Sequence, residues 1–256
     1  MKKNIIILGI YLLNLVFSVQ PALSQQELSF VTLDKFEPFT WKENNQAKGI
    51  DVDILKKLCN RINIKCNILF VPWKRVIHYM KTGNMDGAFA AFKTPERETF
   101  AHYLELPFHY NSKYNIFVNK NEAFPFNKIQ DLYGKRLGKN RGFNLGKELD
   151  SAAKKKKLHI EEANDASANI LKLKGKRIDG YICNYHEALV VIKKMGYSGQ
   201  IVPLDKPIRK SRGAFLMISK SAHIENKEKL IQGMNRALKN MYDDGIVEKI
   251  ISNYIK

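Results

Sequence analysis

The chain has 256 residues, with 43 Lys and Arg against 25 Asp and Glu, a formal net charge of +18. Hydrophobic residues at 45% and charged residues at 27% are ordinary globular proportions, which excludes a wholly disordered or fibrous chain. Three Cys are too few for a disulfide scaffold, and the length allows one large domain or two small ones.

The first element reads as an address. Lys2 and Lys3 precede an apolar run from Ile5 to Val19, which Gln20 and Pro21 break. Ala22-Leu23-Ser24 follows, with small residues at its first and third places. That is the layout of a secretory signal peptide over residues 1–24, cleaved after Ser24. The run is about 15 residues, short of the roughly 20 that a spanning helix needs. The alternative is an uncleaved anchor. Gln25 rather than Cys comes next, which argues against an N-terminal lipid. An exported protein is expected.

After this segment strands and helices alternate. Leu28–Leu33 reads as a strand. Asp51–Asn63 carries Val52, Leu55, Leu58 and Ile62 on one helical stripe. Ile64–Val71 reads as a strand, Trp73–Lys81 as a helix, and Asp86–Ala91 and Tyr114–Val118 as strands. The alternation continues through Lys135–Lys139, Phe143–Ala153, Leu158–Glu161, Ala166–Leu173, Ile178–Cys183 and His186–Met195. Gln200–Leu204 and Ala214–Ser219 are strands, and Lys227–Tyr242 and Ile246–Tyr254 are helical. The pattern predicts an α/β architecture, with helices flanking mainly parallel sheets.

Two stretches read as boundaries: polar Asn119–Asn127 with Pro125, and Leu204–Gly213 with Pro207 and several basic residues. Between them lie about 85–90 residues, enough for a small α/β lobe. The flanking segments then form another lobe, and the chain crosses between the two twice. A cleft at such a hinge is where ligands sit.

Export also bears on the cysteines. Cys59 lies near a helix end and Cys66 early in the next strand, so they can meet across a tight turn. In an oxidising compartment a Cys59–Cys66 disulfide is expected, against the alternative of two buried thiols. Cys183 is left over and reads as a small buried hydrophobe.

No catalytic motif stands out. The sequence has no Gly-rich phosphate loop, nucleophile-elbow serine or helical His-Glu metal pair. No metal or cofactor is expected. The run Lys154–Lys157 near a helix end reads as a solvated face beside the helix dipole. Diffuse positive charge allows polyanion binding. The aromatics lack stacking-platform spacing, so nucleic acid is not the expected partner.

From Leu33 onward the sequence resembles the periplasmic solute-binding proteins of the polar amino-acid uptake type, bacterial extracellular solute-binding family 3. Asp34-Lys35-Phe36-Glu37-Pro38-Phe39 and Lys48-Gly49-Ile50-Asp51-Val52-Asp53-Ile54 are similar to the family's opening motifs. Gly83-Asn84-Met85-Asp86-Gly87, then Lys93-Thr94-Pro95-Glu96-Arg97, are similar to its Gly-x-x-Asp and Thr-Pro-Glu-Arg. Gly134-Lys135-Arg136 and Arg177-Ile178-Asp179-Gly180 match weaker second-lobe markers, and the Cys59/Cys66 spacing is similar to that of the histidine- and lysine/arginine/ornithine-binding members. The resemblance implies a two-lobed fold of type II, each lobe a mixed sheet flanked by helices. It implies lobe 1 from 25–117 and 209–256, and lobe 2 from 118–208. It also implies a monomer that captures a small carboxylate-bearing solute and presents it to an inner-membrane ABC permease or a sensor.

The resemblance assigns the site residues. Arg97 matches the carboxylate-binding Arg, and only Arg offers two parallel donors in fixed geometry for that group. Read alone, Lys93–Arg97 is a helix start, with Thr94 as cap and Pro95 in the first turn. Both readings hold together, because a helix start aims free N–H groups at an anion. Phe36 matches a ligand-packing aromatic and Trp73 an apolar wall.

Several departures are visible. Asn184 stands where several amino-acid binders carry an Asp for the ligand's ammonium. Ala90-Ala91-Phe92 lacks the hydroxyls of the histidine-type binders. Phe143 replaces a frequent Thr or Ser, and Arg141 adds a cation near the mouth. The expected pocket is more apolar and more cationic than a standard amino-acid site. A cleft enzyme of the dehydratase kind is the alternative, with His186 and Glu187 as its acid/base candidates. A basic polyanion-binding envelope protein is a third reading.

Overall fold

The computed structural model describes residues 26–143 and 145–255. The expected signal peptide, residues 1–24, lies outside the described residues. The first sheet has the order β4-β1-β5-β12-β6. Its strands are β1 (Glu27–Thr32), β4 (Lys65–Phe70), β5 (Gly87–Ala91), β6 (Ala101–Tyr103) and β12 (Phe215–Ser219). The second has the order β11-β7-β10-β8-β9. It holds β7 (Tyr114–Asn119), β8 (Arg136–Asn140), β9 (His159–Ala163), β10 (Gly180–Asn184) and β11 (Ile201–Pro203). A two-stranded hairpin joins β2 (Trp41–Glu43) to β3 (Gln46–Lys48).

Both large sheets are mixed. β4, β1 and β5 run parallel, while β12 is antiparallel to β5 and β6. β9, β8 and β10 run parallel, while β7 is antiparallel to β10 and β11. β7 and β12, the first strand after each crossing between the lobes, supply the antiparallel pairs, which is why the mainly parallel pattern read from alternation is only half present.

In the first lobe, α1 (Ile50–Arg61) packs on α7 (Lys227–Asp243) and α8 (Ile246–Tyr254), while α2 (Trp73–Thr82) covers β1, β5 and β12. The α1 stripe buries Val52, Leu55 and Leu58 as its periodicity predicts. Gly49 starts this helix at φ 124°, and a Cβ there would lie 2.1 Å from the Phe39 carbonyl oxygen, so no larger residue fits. Cys59 in α1 and Cys66 in β4 form a disulfide.

The second sheet sorts its side chains by period two. Ile116, Val118, Leu137 and Ile182 face one core with Leu149 of α4 (Lys147–Lys154). Phe117, Tyr181 and Cys183 face the other with Ile170 of α5 (Ala166–Lys174) and Ala188 of α6 (Tyr185–Lys194).

Two segments join the lobes. Tyr114 and Arg209 form one antiparallel bridge and His109 and Ala214 another, so the crossings run side by side. The boundary expected at 117/118 falls inside β7. The apolar run from Tyr114 is one uninterrupted strand of the second sheet, and the polar boundary stretch Asn119–Asn127 begins at its last residue. His109 closes the crossing against lobe 1: its Nε2 lies 2.9 Å from Asp51 Oδ1, with both side chains buried, and its ring stacks on Phe39.

Candidate ligand-binding cleft

Arg97 sits in α3 (Pro95–Glu98), a single turn. Thr94 caps it, its Oγ1 accepting the Arg97 backbone N–H at 3.3 Å, and Pro95 occupies the first helical position. The guanidinium donates from Nη1 to the Phe92 carbonyl at 2.9 Å and lies 4.9 Å from the Trp73 ring centroid. The Tyr103 hydroxyl donates to the same carbonyl at 3.0 Å. Arg97 is only 8% exposed. Burial lowers its pKa from the usual value, against a smaller opposing effect of Tyr103, yet a guanidinium stays charged in any protein. Among the described residues no carboxylate pairs with it within 4 Å. A buried cation without a counter-ion is costly, and an anion arriving in the cleft removes that cost.

The cavity beside Arg97 has walls from both lobes. Leu33, Phe36, Trp73, Ala90 and Phe92 come from the first, Phe143 from the second, and His109, Ser112, Tyr114 and Ala214 from the crossings. Phe36 and Phe143 meet edge-to-face across the cleft, ring centroids 6.0 Å apart. The walls border about 450 Å³ of empty space, open solvent included, of which about 30 Å³ admits the centre of a water. That is room for a few waters, and Phe36 and Phe143 narrow it from opposite lobes.

The chain positions Phe143 on a loop. A helix over Phe143–Ala153 is expected from the apolar spacing, but α4 begins at Lys147 because Gly146 adopts φ 102° and ends the loop there. Ala90 holds φ 59°, an unfavourable angle for a residue with a Cβ, at the cavity wall.

The remaining expected residues stand elsewhere. Ala91 is fully buried in β5 opposite Phe215. Thr94 borders an outer cavity shared with Arg97 and Phe143. Arg141 is half exposed and lies 3.8 Å from Glu162. Asn184 is fully buried and caps α6, its Oδ1 accepting the His186 and Glu187 backbone N–H groups at 2.9 and 3.3 Å. It lines neither the Arg97 cavity nor that outer one.

A second, larger cavity of about 1100 Å³ opens between the lobes and shares Leu33, Trp73 and Phe143 with the first. Asn140, Asp165 and Glu187 line it from lobe 2, and Asp34, Lys35 and Lys74 from lobe 1. Burial pushes the Glu187 carboxyl up to about 8, against the opposing hydrogen bond from Asn140. His186, half buried, has its pKa lowered by desolvation and by Lys113.

The family model of bacterial extracellular solute-binding proteins, family 3, matches residues 28–256. The chain belongs to this family. Among its relatives in the family, the probable amino-acid-binding protein YxeM of Bacillus subtilis (strain 168) is 24% identical over 217 residues, covering 85% of this chain and 79% of that protein. The ABC transporter arginine-binding protein 1 of Escherichia coli (strain K12) is 24% identical over 253 residues, covering 98% and 97%. A solved structure of an ancestral arginine-binding protein bound to arginine superposes with a TM-score of 0.78 at 20% identity, covering 91% of this chain and 99% of that one. That likeness establishes the two-lobed solute-binding fold.

The cavity residues that the sequence left unassigned are Leu33, Ala90, His109, Ser112, Tyr114 and Ala214. Leu33 and Ala90 adjoin recognised motifs. The other four lie in the crossing segments, where no periodicity or motif marks a wall.

Proposed function

We propose that this solute-binding protein is an exported monomeric receptor for a small amino acid or related carboxylate, which it delivers to an ABC permease. The observation that carries this reading is Arg97: a buried guanidinium without a carboxylate partner among the described residues, fixed by Trp73 and Phe92 at the wall of a two-lobed cleft. The ligand's carboxylate meets Arg97, its apolar part lies among Phe36, Trp73 and Phe143, and the lobes close around it. Ligand then shifts an open–closed equilibrium because the second lobe's contacts exist only in the closed form. The relatives' names support an amino-acid ligand. Export rests on the N-terminal segment 1–24, and mass spectrometry of the secreted protein tests cleavage after Ser24.

Isothermal calorimetry with the common amino acids and simple organic acids tests the receptor reading. One or a few amino acids bind, and Arg97→Ala weakens them by about 2–5 kcal/mol, the cost of stranding a desolvated charge. Binding of no panel member, or unchanged affinity in Arg97→Ala, overturns it.

A further inference from the structure

Glu187 is a buried acid that the Arg97 pocket does not use. It stands in the first turn of α6 and is 1% exposed. Its Oε1 accepts a hydrogen bond from Asn140 Nδ2 at 3.1 Å. Asn140 is itself held, its Oδ1 accepting from the Tyr181 hydroxyl at 2.8 Å and from Asn169 Nδ2 at 3.0 Å. Residues from β8, β10 and α5 therefore fix this carboxyl in one orientation. Its Oε2 is buried and accepts no hydrogen bond among the described residues. Both Glu187 and Asn140 line the larger inter-lobe cavity.

The surroundings favour a positive guest. Asp165, the cap of α5, faces Glu187 and adds negative potential. Tyr181 and Cys183 of β10 and Tyr114 of β7 also lie within its field, and burial holds all three neutral. At the mouth, Lys35 pairs with Asp165 at 3.4 Å and Arg141 with Glu162. Asp34 and Lys74 border the same cavity. No cation of the described chain lies within 4 Å of the Glu187 carboxyl. An unsatisfied buried polar group costs free energy, and a cationic N–H donor meeting the ionised carboxylate removes that cost.

We propose that the Glu187 carboxyl, oriented by Asn140, is a second polar subsite of the cleft that takes the cationic side-chain end of a basic amino acid. This rests on the receptor reading above and names its substrate class. Phe143 borders both cavities, so a ligand with its carboxylate at Arg97 and its cation at Glu187 passes that ring. Arg97 lines only the first of these cavities and Glu187 only the larger one, so the ligand's two charges are set apart, as in a basic side chain and not in the α-ammonium group alone. Glu187 is protonated in the empty cleft near neutral pH and must ionise to pair with a cation, so the proton goes to solvent as the ligand binds. Affinity then rises with pH up to about 8 and levels off above it.

The test uses the mature chain with L-arginine and L-lysine, and with L-citrulline as the neutral counterpart of arginine. Calorimetry at about pH 7 in two buffers of different ionisation enthalpy counts protons. The expected result is close to one proton released per arginine or lysine, and roughly tenfold or more weaker binding of citrulline. Glu187→Gln keeps the shape and the Asn140 bond. It should abolish the proton release and bring arginine within a few-fold of citrulline. Two outcomes overturn the subsite and leave the receptor reading standing: basic ligands bound without proton release and equally well by Glu187→Gln, or preference for an uncharged amino acid. Binding of no amino acid removes the receptor reading and the subsite with it. Circular dichroism and thermal unfolding confirm that the variant is folded.

Discussion

The Arg97 guanidinium lies 4.9 Å from the centroid of the Trp73 ring. The two come from different elements, Trp73 opening α2 and Arg97 sitting in the single turn of α3. The ring covers one side of the cation and the Phe92 carbonyl takes one of its donors. What remains is a planar fork turned to the cleft. Arg97→Lys keeps the charge and loses the paired donors. It should weaken ligand binding by about 1.5–3 kcal/mol, the strength of a charge-assisted hydrogen bond. Trp73→Leu should cost less, about 0.5–2 kcal/mol, through lost cation–π contact. Calorimetry on both variants checks the order, and Trp73→Leu costing more than Arg97→Lys would reverse the assignment of roles.

His109 and Asp51 fasten the first crossing to α1. The Asn111 backbone N–H donates to His109 Nδ1 at 3.0 Å, and His109 Nε2 approaches Asp51 Oδ1 to 2.9 Å without an aligned hydrogen bond. His109→Phe preserves the stack on Phe39 and strands a buried carboxylate. It should destabilise the fold by about 1–3 kcal/mol or more, and Asp51→Asn by less. Urea unfolding measures both, and a His109→Phe variant as stable as the native chain would contradict the pairing.

Two ion pairs span the mouth of the cleft. Lys35 of lobe 1 lies 3.4 Å from Asp165 of lobe 2, and Lys194 of lobe 2 lies 2.5 Å from Glu37 of lobe 1. The lysines are exposed, so each pair contributes only about 0–1 kcal/mol and is screened by salt. Together they still bias a balance between open and closed lobes. The double variant Lys35→Ala/Lys194→Ala should open the ligand-free protein, and added salt should do the same to the native one. Small-angle scattering reads both as a larger radius of gyration; a radius insensitive to salt and to the substitutions would remove these pairs as a latch.

Glu187 gives the fold a pH dependence of definite sign. Its carboxyl is pushed up to about 8 in the folded chain from an ordinary 4.5. Between those values the unfolded chain loses this proton and the folded chain keeps it. Stability is therefore full below about pH 4.5, declines as pH rises, and levels off beyond about 8, a loss on the order of a few kcal/mol. Glu187→Gln should flatten that decline. Urea unfolding from about pH 5 to 8 decides, and parallel profiles for the two proteins would be inconsistent with a neutral buried acid.

Much of the fold was legible because burial imprints periodicity. The Val52-Leu55-Leu58 stripe marked α1, and short apolar runs marked β1, β5, β7 and β10. The hairpin β2–β3 went unread, although its turn residues Asn44 and Asn45 adopt φ 47° and 62°, angles that Asn tolerates well. Three-residue strands such as β2, β3 and β6 are too short to show a period. Part of the cavity wall was also legible: Phe36 and Arg97 stand in local motifs, and Trp73, Phe92 and Phe143 at places that the family resemblance singles out.

By itself the sequence determined the alternating α/β order, the Cys59–Cys66 pair, the family, and the turn that carries Arg97. These depend on neighbours in the chain, through helical stripe, strand alternation, spacing and capping. The tertiary structure alone decided that Asn184 is a buried cap, that Phe143 reaches across to Phe36, and that Glu187 keeps one oxygen unpaired among the described residues. Those outcomes depend on which groups meet after two distant segments, 109–114 and 209–214, run side by side and bring the lobes face to face. Residue spacing encodes a local periodicity, but the desolvation of a carboxyl or a guanidinium is set by every element that packs around it.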